Sequence, residues 1–473
     1  MNAAPESRLE LLRETVPAVL RWIDGQGIAR GATGVQLAIA YRGELVAEHA
    51  WGLANAETGE ALTTDHLFRI ASHSKTFTAV GILRLVEQGL LRLDDPAARF
   101  VPELEGSDVG SVTVRELLGH QAGVIRDSSD GDFWQHASPF PDREELVRIL
   151  REEGRVFAPN EHFKYTNIGY GLLGLVIESA TGTSYADAMR SLVVEPLALR
   201  DAGPEYDEAR ASEYAAGHTS RIVAGQPRAV IPHVDTRALA AATGWYANAR
   251  DLVRYGSAHV RGDETLLSDA SKRLMQREES RFAPRDQPEA RYGLGLDLAS
   301  VGGREVVGHS GGYPGHITRT WIDPVDGLVV SVLTNDLDGA AGPLAAGVLQ
   351  LIQLAERAAD TGERTPDELR FEGRFASTWG AYDVLDLGGT LHVIGLRSPE
   401  PGPAAMRIVP DEGRLVIESE PSFAESGEPV EVVRDADGSI RRIRLGAMTA
   451  VPFESLDTTR PHGLIPVGEG RRE

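Results

Sequence analysis

The hydrophobic period along this chain changes twice, and that change limits the fold more than any other feature. Val35–Tyr41 and Glu44–Trp51 are strand-like apolar runs on either side of Arg42-Gly43, which predicts a hairpin. A helical period then predicts helices over 68–88, closed by Gly89, and over 112–122, 143–152 and 168–192. Asn248 followed by Asp251 reads as an N-cap with an acidic third residue, opening a helix through Tyr255. From residue 291 the period returns to two. Strands are predicted over 292–298, 304–308, 317–323 and 328–334, with Asp326-Gly327 as a hairpin turn. Strands that open and close a region with helices between them predict an α+β fold, an antiparallel sheet flanked by helices.

Two further helices bracket that region, one over 8–30 that Pro17 is expected to kink or split, and one over 344–357. The charged, Pro-containing stretch that follows reads as a linker over 358–370. Beyond it, runs at 382–387, 390–396, 405–409, 414–418, 430–434 and 439–445 alternate with Gly, Pro and Asp turns, with no helical period. That pattern predicts a C-terminal antiparallel β-barrel or sandwich. The expected division is a catalytic domain over 1–357 and a β-domain over 371–473.

Composition removes several classes of function. The formal charge is −22, from 70 acids against 48 bases, which argues against nucleic acid and anionic membranes as partners. There is no cysteine, so thiolate metal sites, disulfides and cysteine nucleophiles are excluded. No His-x-x-x-His spacing suggests a metal, and no cofactor is expected. No apolar run approaches the ~18 residues that a membrane-spanning helix needs. The N-terminus lacks an apolar signal core, so a cytoplasmic protein is expected, although a trimmed signal would leave the same sequence.

Only three of the 48 bases are lysines, Lys75, Lys164 and Lys272; the rest are arginines. Arg cannot deprotonate in a protein, whereas a desolvated Lys can serve as a base. Lys272, in Ser271-Lys272-Arg273, reads as compositional drift. Lys75 follows Ser72 by three residues at the start of a predicted helix, so the two side chains share a face. A serine hydroxyl becomes a useful nucleophile when a neighbouring base takes its proton, and a helix N-terminus favours developing oxyanion charge. About 0.17 Ser-x-x-Lys matches are expected by chance at this composition. A surface Ser beside a snorkelling Lys is the bland alternative.

Lys164 precedes Tyr165-Thr166-Asn167, where a phenol and an amide offer proton transfer and orientation. A second Tyr-x-Asn, Tyr246-Ala247-Asn248, has a capping explanation for its Asn. Gly308-His309-Ser310-Gly311-Gly312 forms a Gly-rich strand end where backbone N–H groups can approach a substrate.

The order Ser72-x-x-Lys75, Tyr165-x-Asn167, His309-x-Gly311 resembles the penicillin-recognising serine hydrolases: class C β-lactamases, D-Ala-D-Ala carboxypeptidases, D-aminopeptidases and esterases. The likeness spans about residues 10–355, including Trp51-Gly52, Leu93-Asp94-Asp95-Pro96, Gly169-Tyr170, Glu195-Pro196-Leu197 and Tyr292-Gly293-Leu294-Gly295, and it selects Tyr165 over Tyr246. It implies that Ser72 is the acylated nucleophile and that Lys75 and Tyr165 pass its proton to the leaving group. It further implies that Asn167, His309 and Gly311 bind substrate, and that the N–H groups of Ser72 and Gly312 form the oxyanion hole.

His309 stands where β-lactamases and carboxypeptidases carry Lys. That departure resembles the D-aminopeptidases and some esterases, as does a separate C-terminal β-domain. The leading expectation is therefore a hydrolase of a small amide or peptide bond, D-aminopeptidase-like, with a carboxylesterase as the alternative. A β-lactamase or carboxypeptidase is less favoured, as is a silent binding protein, since a binder has no need to keep Ser72, Lys75 and Tyr165 together. Expected partners are small amide, peptide or ester substrates, and a homo-oligomer is left open.

Overall fold

The computed structural model describes residues 5–222, 225–283, 289–398, 400–418 and 426–457. The end of the expected β-domain, 458–473, lies outside them. Contacts divide the chain into one compact unit of residues 32–345 and a second of 1–31 with 346–473. The helices Pro5–Arg30 and, for most of its length, Ala341–Thr361 thus group with the β-domain and not with the sheet, unlike the division expected at 357 and 371.

Within 32–345 the expected antiparallel sheet has nine strands. Its spatial order is Glu60–Ala61, Glu44–Asn55, Gly34–Tyr41, Leu328–Thr334, His316–Ile322, Arg304–Tyr313, Asp297–Val301, Ala290–Tyr292 and Ser280–Phe282. The opening hairpin therefore pairs with the last strand of the unit, in a register that sets Leu37 opposite Val332. Both strands of that central pair are buried along their whole length, which explains their continuous apolar sequence. The helix Ser74–Glu87 is likewise almost wholly buried, with the Phe77 ring stacked between Trp245 at 4.0 Å and Tyr255 at 3.8 Å.

Three expected elements break where local backbone chemistry overrides the period. The helix expected from residue 68 begins at Ser74, because Phe68–Arg69 pair with Tyr246–Ala247 and Ala71 takes a left-handed φ of +47°. The helix expected over 168–192 stops at Thr181, where Gly182 caps it at φ +71°, and resumes as Tyr185–Met189 and a wider turn to Val194. The strand expected over 292–298 is interrupted around Gly295, whose φ is +79°. A Cβ there would fall 2.6 Å from that of Ala79, so the glycine lets this loop lie against the Ser74–Glu87 helix.

In the other unit, eight strands close into an antiparallel barrel. Gly373–Ser377 and Met448–Pro452, neither expected from sequence, are the strands that close it, with Phe375 opposite Pro452. Phe375, Val384, Leu391, Ile408, Ile417 and Ile443 are among the residues that fill its core. Helix Pro5–Arg30 runs unbroken through Pro17. Its Trp22 fits over Gly347, where a Cβ would clash with the indole, and Gln26 Nε2 donates to the Leu396 carbonyl at 2.8 Å.

Candidate active site

Ser72 sits in the tight turn Ala71–His73, at the mouth of the helix that carries Lys75 in its first turn. The positive φ of Ala71 costs an L-residue about 1 kcal/mol, and it turns the chain sharply from strand into helix at the serine. Lys75 is fully buried. Its Nζ lies 3.1 Å from Ser72 Oγ, 2.8 Å from Asn167 Oδ1 and 2.9 Å from the Ala242 carbonyl.

These three neighbours define what the amine can do. Asn167 Oδ1 and a carbonyl oxygen only accept, so each takes a Lys75 proton. A neutral amine then has one position left, its lone pair, and that position faces Ser72. Burial pushes the Lys75 pKa well below the usual lysine value; Asp127 pulls it back up, and Arg126 pushes it further down.

Asn167 opens the helix Asn167–Thr181, which Thr166 caps by accepting from Gly169 N at 2.8 Å. Its amide orientation is fixed from behind, since Asn167 Nδ2 donates to Asp127 Oδ1 at 2.6 Å. A carboxylate cannot face the amide oxygen, so Oδ1 must turn to Lys75. Trp134 Nε1 also donates to Asp127 Oδ1, at 2.9 Å, and Arg126 Nε lies 3.1 Å from Oδ2.

The Tyr165 ring centroid is 4.7 Å from Lys75 Nζ and 4.3 Å from the His120 ring. Burial pushes its phenol pKa up, and hydrogen bonding with Ser72 draws it back. Ser72, Lys75, Tyr165 and Asn167, which the resemblance grouped, thus meet at one point.

Gly311 is there for lack of a side chain. A Cβ on it would stand 2.1 Å from the Ile70 carbonyl, so the glycine lets the strand Arg304–Tyr313 press on the turn that holds Ser72. A Cβ added at Gly312, the next residue, would meet only a side-chain carbon of Ile317 at 3.5 Å, an ordinary contact. His309 lies 6.3 Å from the Tyr165 ring but is 3% exposed, with both nitrogens engaged. Nδ1 faces the Ser310 carbonyl at 2.6 Å and so carries the proton; Nε2, 3.0 Å from the Tyr292 hydroxyl, accepts. Burial lowers its pKa to about 4, so the ring is neutral. Both contacts together leave no free ring nitrogen for a ligand.

Sequence reasoning missed Asp127, Arg126, Tyr292 and the Ala242 carbonyl. Arg126-Asp127-Ser128-Ser129-Asp130 looks like any solvated charged loop, and a main-chain oxygen in the wide turn Ala240–Gly244 has no side-chain signature. Lys272 is no idle leftover. It is fully buried, donates to the Val260 carbonyl at 2.6 Å and to the Asp263 carbonyl, and pairs with Asp269. Asn248 is the expected cap, accepting from Asp251 N at 2.9 Å. Among the described residues no cluster of His, Asp and Glu is placed to hold a metal, and no helix is long and apolar enough to cross a membrane.

Residues 19–354 match the Beta-lactamase family. The chain is 31% identical over 298 residues to Penicillin-binding protein 4* of Bacillus subtilis (strain 168), covering 58% of this chain and 62% of that protein. It is 30% identical to Esterase EstB of Burkholderia gladioli, covering 67% and 89%, and 28% identical to a D-aminopeptidase of Brucella canis, covering 66% and 58%. The chain therefore spans less than two thirds of two of these three relatives. In three dimensions it resembles a D-amino acid amidase from Ochrobactrum anthropi SV3 complexed with D-phenylalanine, with a TM-score of 0.60 at 26% identity over 73% of this chain and 99% of that one. The chain belongs to the beta-lactamase family of serine hydrolases.

Proposed function

We propose that the protein hydrolyses a small amide or peptide bond through an acyl-enzyme on Ser72, with a D-aminopeptidase-like preference. The observation that carries this reading is the arrangement at Lys75 Nζ, where two obligate acceptors hold its protons and turn its lone pair to Ser72 Oγ. Ser72 Oγ attacks the scissile carbonyl carbon while Lys75 takes its proton. The tetrahedral oxyanion forms against the N–H groups of Ser72 and Gly312. As the C–N bond breaks, the proton passes by way of the Tyr165 hydroxyl to the leaving nitrogen, releasing an amine. Water then attacks the Ser72 ester, the same pair takes its proton and returns it to Ser72 Oγ as the C–Oγ bond breaks, and a carboxylic acid leaves. A neutral His309 provides no fixed cation beneath the site, and the likeness to a D-aminopeptidase and a D-amino acid amidase supports an amino-acyl substrate.

The likeness to Esterase EstB supports carboxylesterase activity as the second reading. Intact mass after treatment with a fluorophosphonate tests Ser72. D- and L-aminoacyl p-nitroanilides run beside p-nitrophenyl esters test the leaving group and the stereochemistry. Turnover of D-anilides above L-anilides is the expected result, and turnover of esters alone overturns the amide reading.

A further inference from the structure

One cavity within residues 32–345, of about 200 Å³, takes no part in the chemistry above. Gly171, Gly174 and Leu175 line it from the helix Asn167–Thr181, Ala240 and Ala241 from the wide turn, and Tyr185 from the short helix Tyr185–Met189. The first two of these elements also hold the acceptors of Lys75. Asn167 is the first residue of that helix, and the Ala242 carbonyl belongs to the turn. Helix and turn meet at Gly174, where a Cβ would stand 2.9 Å from that of Ala241. The inner wall offers a ligand few polar atoms. The Tyr185 hydroxyl is spent on Thr78 Oγ1 at 2.8 Å and Trp245 Nε1 at 2.9 Å, and the Ala241 carbonyl on Thr78 Oγ1 at 2.7 Å.

Charged groups complete the lining, and they do not balance. Arg143 is paired with Glu103 at 2.8 Å. Asp142 accepts from Glu145 N at 3.0 Å and Glu178 Oε1 from Tyr185 N at 2.9 Å. Among the described residues neither of these acids has a cationic partner, so both stand against the single remaining base, Arg237. We propose that this cavity binds a small organic ammonium ion with an apolar body, its cation at Glu178, and that the filled cavity braces the turn against Lys75. An apolar cavity of about 150 Å³ accepts a benzene ring, so a five-carbon amine fits here. The chain's charge of −22 draws cations to its surface. A ligand packed between helix and turn makes contacts that a displaced turn would lose, so binding favours the arrangement that keeps the Ala242 carbonyl on Lys75. The brace rests on the reading of Lys75 as the base for Ser72; the site does not.

The probe is isoamylamine, with isoamyl alcohol as its uncharged isostere. Calorimetric titration uses protein whose Ser72 carries a fluorophosphonate, so that the catalytic site is closed to the amine. The capped protein binds the amine about fivefold more tightly than the alcohol. Glu178→Gln keeps an oxygen for Tyr185 N but loses the charge, which weakens the amine about fivefold and leaves the alcohol unchanged. The brace is read from the rate at which the fluorophosphonate caps Ser72, a step in which the amine is no reactant. Saturating amine raises that rate about fivefold, and Glu178→Gln needs more amine for the same rise. No binding to the capped protein, or equal binding by parent and Glu178→Gln, overturns the site. Binding with a capping rate that stays level or falls overturns the brace alone. If Ser72 takes no fluorophosphonate, the acyl-enzyme reading falls and the brace with it; titration of uncapped parent against uncapped Glu178→Gln then decides the site.

Discussion

Replacing Asp127 by Asn removes one charge and changes almost nothing in shape. The carboxylate accepts from Asn167 Nδ2 at 2.6 Å and from Trp134 Nε1 at 2.9 Å, and forms an ion pair with Arg126, whose Nε lies 3.1 Å away. Hydrogen bonds to a charged partner are about twice as strong as neutral ones, so each of the two weakens by about 1 kcal/mol. Only the bond to Asn167 bears directly on Lys75. Its loss lets the Asn167 amide turn over and point N–H groups at the lysine. A weakening of about 1 kcal/mol there lowers the plateau of kcat/KM about fivefold.

The pH profile supplies a second readout with a definite sign. Asp127 raises the Lys75 pKa, so its neutralisation lowers it. The free amine then persists to lower pH, and the acid limb of kcat/KM moves down the pH scale. Asp127→Ala, which leaves Asn167 Nδ2 unmatched, is expected to cost more than Asp127→Asn. The assay is kcat/KM against pH for parent and both variants on one activated substrate, with melting temperature as the folding control. An acid limb that stays in place or moves upward, at an undiminished plateau, refutes the argument that Asp127 acts through Asn167 and Lys75.

Ser72→Ala abolishes turnover while leaving the melting temperature in place; residual activity within about tenfold of the parent, measured with the same substrate, removes Ser72 from the mechanism. Lys75→Arg is as damaging as Lys75→Ala, because a permanently charged side chain cannot accept the serine proton; recovery of rate in the Arg variant means that Lys75 is only a fixed cation. Gly311→Ala drives a methyl into the Ile70 carbonyl and lowers the melting temperature by several degrees, whereas Gly312→Ala meets only ordinary contact and leaves it unchanged by calorimetry. His309 and His259 are held to about 4 by burial, below the 6.5 of an unfolded histidine. The unfolded chain therefore binds more protons as pH falls from 6.5 towards 4, and stability is lost by about 1.4 kcal/mol per unit per histidine. Denaturant titrations at pH 6.5 and 5.5 measure the slope, which is shallower in His309→Asn.

What could be read from sequence and what could not separate on physical grounds. Lys75 and Ser72 were legible because three residues along a helix place side chains on one face, and Gly311 because a glycine in a strand signals close approach. Where backbone geometry or distant pairing decided the outcome, the period misled. Nothing in the run from Phe68 announces that it pairs with Tyr246–Ala247 before the helix begins. The two strands that close the barrel lie at its sequence ends, and each becomes a strand only because the other is there to pair with it. His309 was legible as a neutral residue but not as a buried one, since its burial depends on Tyr292 closing over it.

The helix Pro5–Arg30 has a consequence for how the chain is made. Its Gln26 bonds the Leu396 carbonyl, and its Trp22 rests on Gly347. At translation rates of about 5–20 residues per second, the helix emerges roughly 20–70 s before those partners exist. Through that interval Leu12, Val19, Trp22 and Ile23, all buried in the finished protein, lie open to other chains and to chaperones. A segment synthesised long before its partners is thus among the last to be docked. A chain cut short after residue 345 would strand that helix permanently, leaving the sheet unit with an adhesive tail.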